Sequence, residues 1–214
     1  MKVEIVDLNI PDLANCWLLT DEATGKAALV DIGWYTDELD EFIRRNKIDV
    51  EYILLTHGHF DHIMGAAKAK EATGARVLIH KDDNICLTDK KYNLMDDFGV
   101  TAPLYPCEAD IIADDGTAVN IGESEITVMH TPGHSAGSVI FIDREGRNII
   151  SGDTLFYSTV GRTDKIGSSA EELADSLRKI IALNGDYTIY PGHGPVTSLS
   201  HERVRNIFIR RMDR

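Results

Sequence analysis

The chain has 214 residues, 35 acidic and 22 basic, with a formal charge of −13 and 43% hydrophobic residues. That length suits one domain with a sizeable core, and the mix of apolar and charged residues excludes intrinsic disorder. The negative excess disfavours nucleic acid and anionic lipid as partners, and no apolar run is long enough to span a membrane.

In chain order, the N-terminus carries acids early and lacks an extended apolar stretch, so no signal peptide is expected. Short apolar, β-branched runs then recur with strand length and composition. They are KVEIV (2–6), CWLLT (16–20), AALVD (27–31), YILLT (52–56), RVLIH (76–80), EITVMH (125–130), SVIFI (138–142), NIIS (148–151) and YTIY (187–190). Helical spacing marks four longer segments. TDELDEFIRRNK (36–47) would place Leu39, Phe42 and Ile43 on one face, and IMGAAKAKEATG (63–74) would start after His62 and stop at Gly74. In SAEELADSLRKIIAL (169–183), Ser169 and Glu172 form a capping box, with Leu173, Leu177, Ile180 and Ile181 on the buried side. HERVRNIFIRRM (201–212) predicts a last helix. Many strands with few helices, not in strict alternation, imply two mixed sheets packed together with helices outside. The segment from Lys81 to Pro106 has weak periodicity and aromatics at Tyr92, Phe98 and Tyr105; it is either functional or a solvated loop packing its own rings. Cys16, Cys86 and Cys107 form neither a disulfide framework nor a paired metal knuckle, so a reduced, cytoplasmic setting with buried thiols is expected.

The polar residues sit at the ends of these strands. YILLT runs into THGHFDH (56–62), which crowds His57, His59 and His62 beside Asp61 in a strand-to-helix turn. α/β folds place ligands at such carboxyl ends. EITVMH leads to His134, NIISG to Asp153, and YTIYPG to His193. Histidine and carboxylate are the donors that zinc-like ions take when thiolates are absent. Seven candidates, His57, His59, Asp61, His62, His134, Asp153 and His193, exceed what one catalytic ion with an open position needs. They suit two divalent ions with a carboxylate such as Asp153 between them. Zinc is the first expectation, and iron or manganese would accept the same donors. Asp31 ends a strand and either orients a ligand histidine from behind or is an ordinary turn aspartate. His80, His130 and His201 read as ordinary satisfied histidines, because nothing in the sequence converges on them.

Taken in order, HxHxDH (57–62), TPGHSAGS (131–138), SGDTLF (151–156) and PGHG (191–194) resemble the metallo-β-lactamase superfamily, from about Asp31 to the C-terminus. The resemblance implies an α/β fold, an αβ/βα four-layer sandwich, as a single domain over residues 1–214 with a metal site at one edge. It implies that His57, His59 and His134 hold one ion, that Asp61, His62 and His193 hold another, and that Asp153 bridges. β-Lactamases of the superfamily usually lack a histidine at the position of His62, so the resemblance points to another hydrolase branch. GDTLFYSTVGRTD (152–164), ICLTDKKYNLMDDFG (85–99) and PGHGPVTSLSHERVRN (191–206) resemble glyoxalase II-type proteins, the hydroxyacylglutathione hydrolases. Long members add a helical domain that grips glutathione; here 21 residues follow His193 (214 − 193), so the short type fits better and no substrate-binding residue is named.

The expected activity is hydrolysis of a small acyl thioester by hydroxide generated between two cations, with Asp61 as the catalytic residue that orients it and moves protons. The expected partner is that small molecule, with neither nucleic acid nor membrane; the oligomeric state is open. A mononuclear iron persulfide dioxygenase of the same fold is the rival enzyme, and a metal-binding protein without hydrolase activity is the non-enzyme alternative. Arg162 and Asp164 form either a structural or substrate-facing salt bridge or a plain turn.

Overall fold

In the computed structural model, which describes residues 1–8, 10 and 13–212, two six-stranded sheets face each other. The first holds β1 (Lys2–Val6), β2 (Cys16–Thr20), β3 (Lys26–Val30), β4 (Asp49–Leu54), β5 (Arg76–His80) and β6 (Ile111–Ala113) in that spatial order. Its first three strands are antiparallel and the rest parallel. The second holds β7 (Ala118–Ile121), β8 (Ser124–His130), β9 (Val139–Asp143) and β10 (Asn148–Gly152). A small hairpin of β11 (Leu155–Phe156) and β12 (Thr159–Val160) follows, then β13 (Thr188–Pro191) and β14 (Thr197–Ser198). The order across this second sheet is β14-β13-β10-β9-β8-β7.

Side-chain alternation explains why the central strands read as unbroken apolar runs: each feeds two layers. Ala28, Val30, Leu54, Leu78, Phe141 and Ile150 fill the space between the sheets. Leu29, Ile53, Val77 and Ile79 point the other way, onto Leu39 and Ile43 of α1 (Asp37–Asn46) and Ala66 and Ala69 of α3 (Ala66–Thr73). Ile140, Ile142, Ile149 and Ile189 meet α4 (Ala170–Ile181), α5 (Leu199–Arg205) and α6 (Ile207–Met212) on the far side. This is the four-layer αβ/βα sandwich. Each fully buried leucine or isoleucine contributes about 1.5–3 kcal/mol of transfer free energy. Among the described residues, no helix is long and apolar enough to cross a membrane.

Three elements differ from their sequence reading. The helix expected over 63–74 is two helices, the first starting inside the histidine motif: a single turn α2 (Phe60–Ile63) carries Asp61 and His62, and α3 starts at Ala66. The break falls at Gly65, where a β-carbon would lie 2.7 Å from the Trp34–Tyr35 backbone. The last helix divides at Asn206, whose side chain donates to the Thr159 carbonyl at 3.1 Å and the Glu202 carboxylate at 2.8 Å. Phe42 does not join Leu39 and Ile43 in the core; it is 44% exposed and lines a surface groove with Ile5 and Val6 of the edge strand β1. The Ser169 cap is present, its hydroxyl accepting from the Glu172 N–H at 3.2 Å.

Candidate metal centre

The site lies at the carboxyl ends of β4, β8, β10 and β13, where four connections converge between the sheets. His57 Nε2 stands 3.0 Å from His59 Nδ1, which stands 2.9 Å from His134 Nε2. Ligand atoms of a tetrahedral ion with bonds of ~2.1 Å are about 3.4 Å apart, so slight expansion of this trio fits one cation. Asp61 Oδ2 lies 3.1 Å from His193 Nε2 and 3.7 Å from His62 Nε2, forming a second trio. Asp153 sits between them, Oδ2 at 3.4 Å from His134 Nε2 and Oδ1 at 3.4 Å from His62 Nε2. All seven sequence candidates are therefore brought together. His62 Nε2 and Asp153 Oδ1 are buried without a hydrogen-bond partner. Such orphaned atoms are costly to bury, and a cation between them would satisfy both. The donor set, imidazole nitrogen and carboxylate oxygen, fits a pair of divalent transition-metal ions.

Most of the remaining ring nitrogens are held from behind, as metal sites require. His57 Nδ1 is 3.1 Å from the Thr56 hydroxyl, and His134 Nδ1 donates to the Arg162 carbonyl at 3.0 Å. Asp31, fully buried, sits 2.9 Å from His62 Nδ1 and accepts from Thr56 N–H and Oγ–H at 2.8 and 2.7 Å.

Electrostatics divide the two trios. Burial, then repulsion from neighbouring histidines, holds His57 well below the ordinary value and His59 down to about 3; burial also lowers His134. Their rings are neutral with lone pairs free. Burial would lower His62 too, but the Asp153, Asp61 and Asp31 carboxylates outweigh it and raise its pKa well above 6.5. Burial alone would raise Asp61 and Asp153, yet the surrounding histidines, His62 foremost, hold both carboxyls down.

A cleft of about 680 Å³ opens onto His59, Asp61, His134, Asp153 and His193. Its walls are Phe60, Leu94, Phe98, Phe156 and Val160, with Arg162 at the edge. Leu94 and Phe98 come from the irregular 81–106 segment, which thus contributes to the site; Tyr92 and Tyr105 stay exposed. The Arg162 guanidinium pairs with Asp164 through bonds of 2.6 and 2.7 Å, so the GRTD stretch is a salt bridge beside the cleft. Sequence reasoning missed Thr56, the Arg162 carbonyl and the cleft walls; the aromatics scattered through 81–106 were the available signal.

One expectation about the other histidines is corrected. His201 is satisfied, stacked on Tyr157 and 3.1 Å from the Ser158 hydroxyl. His80 and His130, however, converge: their rings stack with centroids 4.0 Å apart and planes 16° apart, and Asp82 lies beside them. The sequence hid this because β5 and β8 belong to different sheets. Their ring nitrogens and an Asp82 carboxylate oxygen lie within 4.8 Å of one another, a further group of donors close enough to meet on one ion. His80 Nδ1 accepts from the Asp82 N–H at 3.3 Å, His130 Nε2 donates to the Ala136 carbonyl at 2.9 Å, and His80 Nε2 is buried without a hydrogen-bond partner.

The superfamily model for metallo-β-lactamases matches residues 9–193. The chain belongs to the metallo-β-lactamase superfamily. Among its relatives, the probable metallo-hydrolase YqgX of Bacillus subtilis is 32% identical, with 93% of each chain covered. The hydroxyacylglutathione hydrolase GloC of Haemophilus influenzae is 29% identical, with 98% of each covered. The superfamily fold recurs in solved structures. BLEG-1 B3 metallo-β-lactamase superposes with a TM-score of 0.90 at 30% identity, over 97% of this chain and 99% of that one. TTHA1623 in a di-iron-bound form gives 0.84 at 32% identity, over 96% and 99%. ETHE1 from Myxococcus xanthus gives 0.74 at 26% identity, over 100% and 90%. A dinuclear centre is typical of this superfamily, and the seven side chains offer two sets of donors for one.

Proposed function

We propose that the protein is a metal-dependent hydrolase of small acyl thioesters, with hydroxyacyl-thiol substrates preferred. The observation that carries this reading is a trio of nitrogens and a trio of nitrogens and oxygen with Asp153 between them, at the floor of an apolar-walled cleft. When bound, two divalent ions, zinc as the first candidate, supply Lewis acidity that generates hydroxide at neutral pH and polarises a carbonyl. Asp61, ionised and reaching the cleft, holds the attacking water's orientation and takes up its proton. Phe60, Leu94, Phe98 and Phe156 exclude bulk water and hold the acyl and thiol portions. The water oxygen bonds to the carbonyl carbon as the C–S bond breaks, and the thiolate, a leaving group that needs little acid assistance, picks up the proton from Asp61 while the product acid loses its own proton to solvent as a carboxylate. The likeness to GloC supports this substrate class. A charge of −13 and three free, buried cysteines support action on a small molecule in the cytoplasm, not on nucleic acid or membrane.

Two rival chemistries share the fold. The ETHE1 likeness keeps a mononuclear iron persulfide dioxygenase in view, and the BLEG-1 likeness a β-lactam ring. The test is hydrolysis of S-lactoylglutathione by protein of known metal content with dioxygen excluded, beside a β-lactam control. Chelator-sensitive thiol release is expected. No release from fully metallated protein, with the β-lactam opened instead or with oxygen consumed on glutathione persulfide in a parallel aerated assay, would overturn the proposal.

A further inference from the structure

Asp83 is buried at 3% exposure on the 3-10 turn Lys81–Leu87, which leaves the end of β5. It belongs to none of the metal-donor groups, yet its carboxylate meets two of the loops that carry them. Oδ2 accepts from the Gly58 N–H at 2.8 Å and the Ser135 hydroxyl at 2.7 Å, and Oδ1 accepts from the Gly137 N–H at 2.7 Å. Gly58 stands between His57 and His59; Ser135 directly follows His134. One side chain thus ties together the two segments that supply the first trio, 75 residues apart in sequence.

The packing is built for this approach. A β-carbon on Gly137 would lie 2.6 Å from the Asp83 backbone nitrogen, and one on Gly58 would lie 2.4 Å from the Cys86 β-carbon. Glycine at both positions lets the turn press against both loops at once. The second trio is held differently: Asp31 backs His62, and the Ala14–Asn15 stretch bonds the Asp61 carbonyl and the loop on either side of His193.

We propose that Asp83 is a positioning residue for the first ion, fixing the His57–His59 loop against His134 so that three nitrogens converge before metal arrives. Three donors face the carboxylate, so each oxygen must accept. In Asp83→Asn the amide nitrogen would oppose an N–H or O–H, loosening the strap without changing side-chain volume. The inference rests on reading the three histidines as ligands of one ion, and metal titration of the unaltered protein tests that reading separately from Asp83.

The experiment is cobalt(II) titration against a competing chelator, read by visible absorption, in a His193→Ala background that leaves only the first trio complete. Asp83→Asn is expected to weaken this ion tenfold to a hundredfold and to alter its absorption envelope, with far-UV circular dichroism unchanged. In the background with an intact second trio, the weaker binding is confined to one of two ions. Ser135→Ala, which removes one of the three bonds, should give a smaller loss of the same kind and serves if Asp83→Asn fails to fold. Unchanged affinity and spectrum in either folded variant, or equal weakening of both ions, would overturn the proposal. An unaltered protein that binds no cobalt would overturn the ligand reading itself.

Discussion

At the scale of single residues, the centre depends on carboxylates whose partners are all donors. Asp31 has a left-handed backbone with φ 54°, a conformation that asparagine tolerates equally, so Asp31→Asn isolates the side chain. Its oxygens face Thr56 N–H, Thr56 Oγ–H and His62 Nδ1, and an amide group must turn a donor toward one of them. The variant should lose about 1–3 kcal/mol of stability in urea unfolding, with the second ion weakened tenfold or more while the first is retained. Retention of both ions at parent affinity would show that His62 needs no support from behind. Asp61 makes a different demand. If it handles the proton of the attacking water, Asp61→Asn should lower kcat by about 10²–10⁴ even at metal concentrations that fill both positions. Full activity at full occupancy would reduce Asp61 to a ligand.

At the scale of elements, the sequence was most informative where a strand is buried on both faces or a ligand cluster is local. His57, His59, Asp61 and His62 lie in one connection, so their convergence needs no long-range information. His134, Asp153 and His193 were legible because each follows a recognisable strand. The short strands β6, β7, β11, β12 and β14 were not legible: two to four residues with one exposed face leave little pattern to read. Asp83 was invisible for a related reason. Its partners lie 25, 52 and 54 positions away and two of them are backbone N–H groups, which carry no side-chain signature. The 81–106 segment shows how far composition reaches: its aromatics hinted at function, but only the fold reveals that Phe98, at 51% exposed, faces the cleft while Tyr92 does not. That exposure separates function from stability. Phe98→Ala should leave the melting temperature nearly unchanged while raising KM about tenfold for thioesters with an apolar acyl group, and less for polar ones, because 1–2 kcal/mol of contact is removed. An unchanged KM across that series would mean the substrate leaves this wall untouched.

At the scale of the whole molecule, the two sheets bring Asp31, Asp61 and Asp153 around His62 whether or not a cation is present, and something positive must answer them. Without metal, the proton on His62 does so. A histidine whose folded pKa is raised adds stability that is complete below about pH 6.5 and is lost as pH climbs through the raised value. His57, His59 and His134 act in the opposite sense: their lowered pKa values add stability that is present above pH 6.5 and lost as pH falls. Chelator-stripped protein should therefore be most stable near pH 6.5–7 and weaken on both sides. The acid limb is shared with carboxylates outside the centre such as Asp21 and Asp164, whose pKa values hydrogen bonds lower, so the alkaline limb is the diagnostic one. Its window closes near pH 9, where the buried thiols of Cys16 and Cys86, pushed up from 9.0, begin their own decline with or without metal. Between pH 6.5 and 8.5, thermal denaturation of stripped protein should show a falling melting temperature, and reloading with zinc should flatten the curve while raising it, since a bound cation does not titrate away. If the stripped protein holds a level melting temperature across that window, the carboxylates are answered by something other than the His62 proton, and the division of the centre into one neutral and one proton-held trio fails with it.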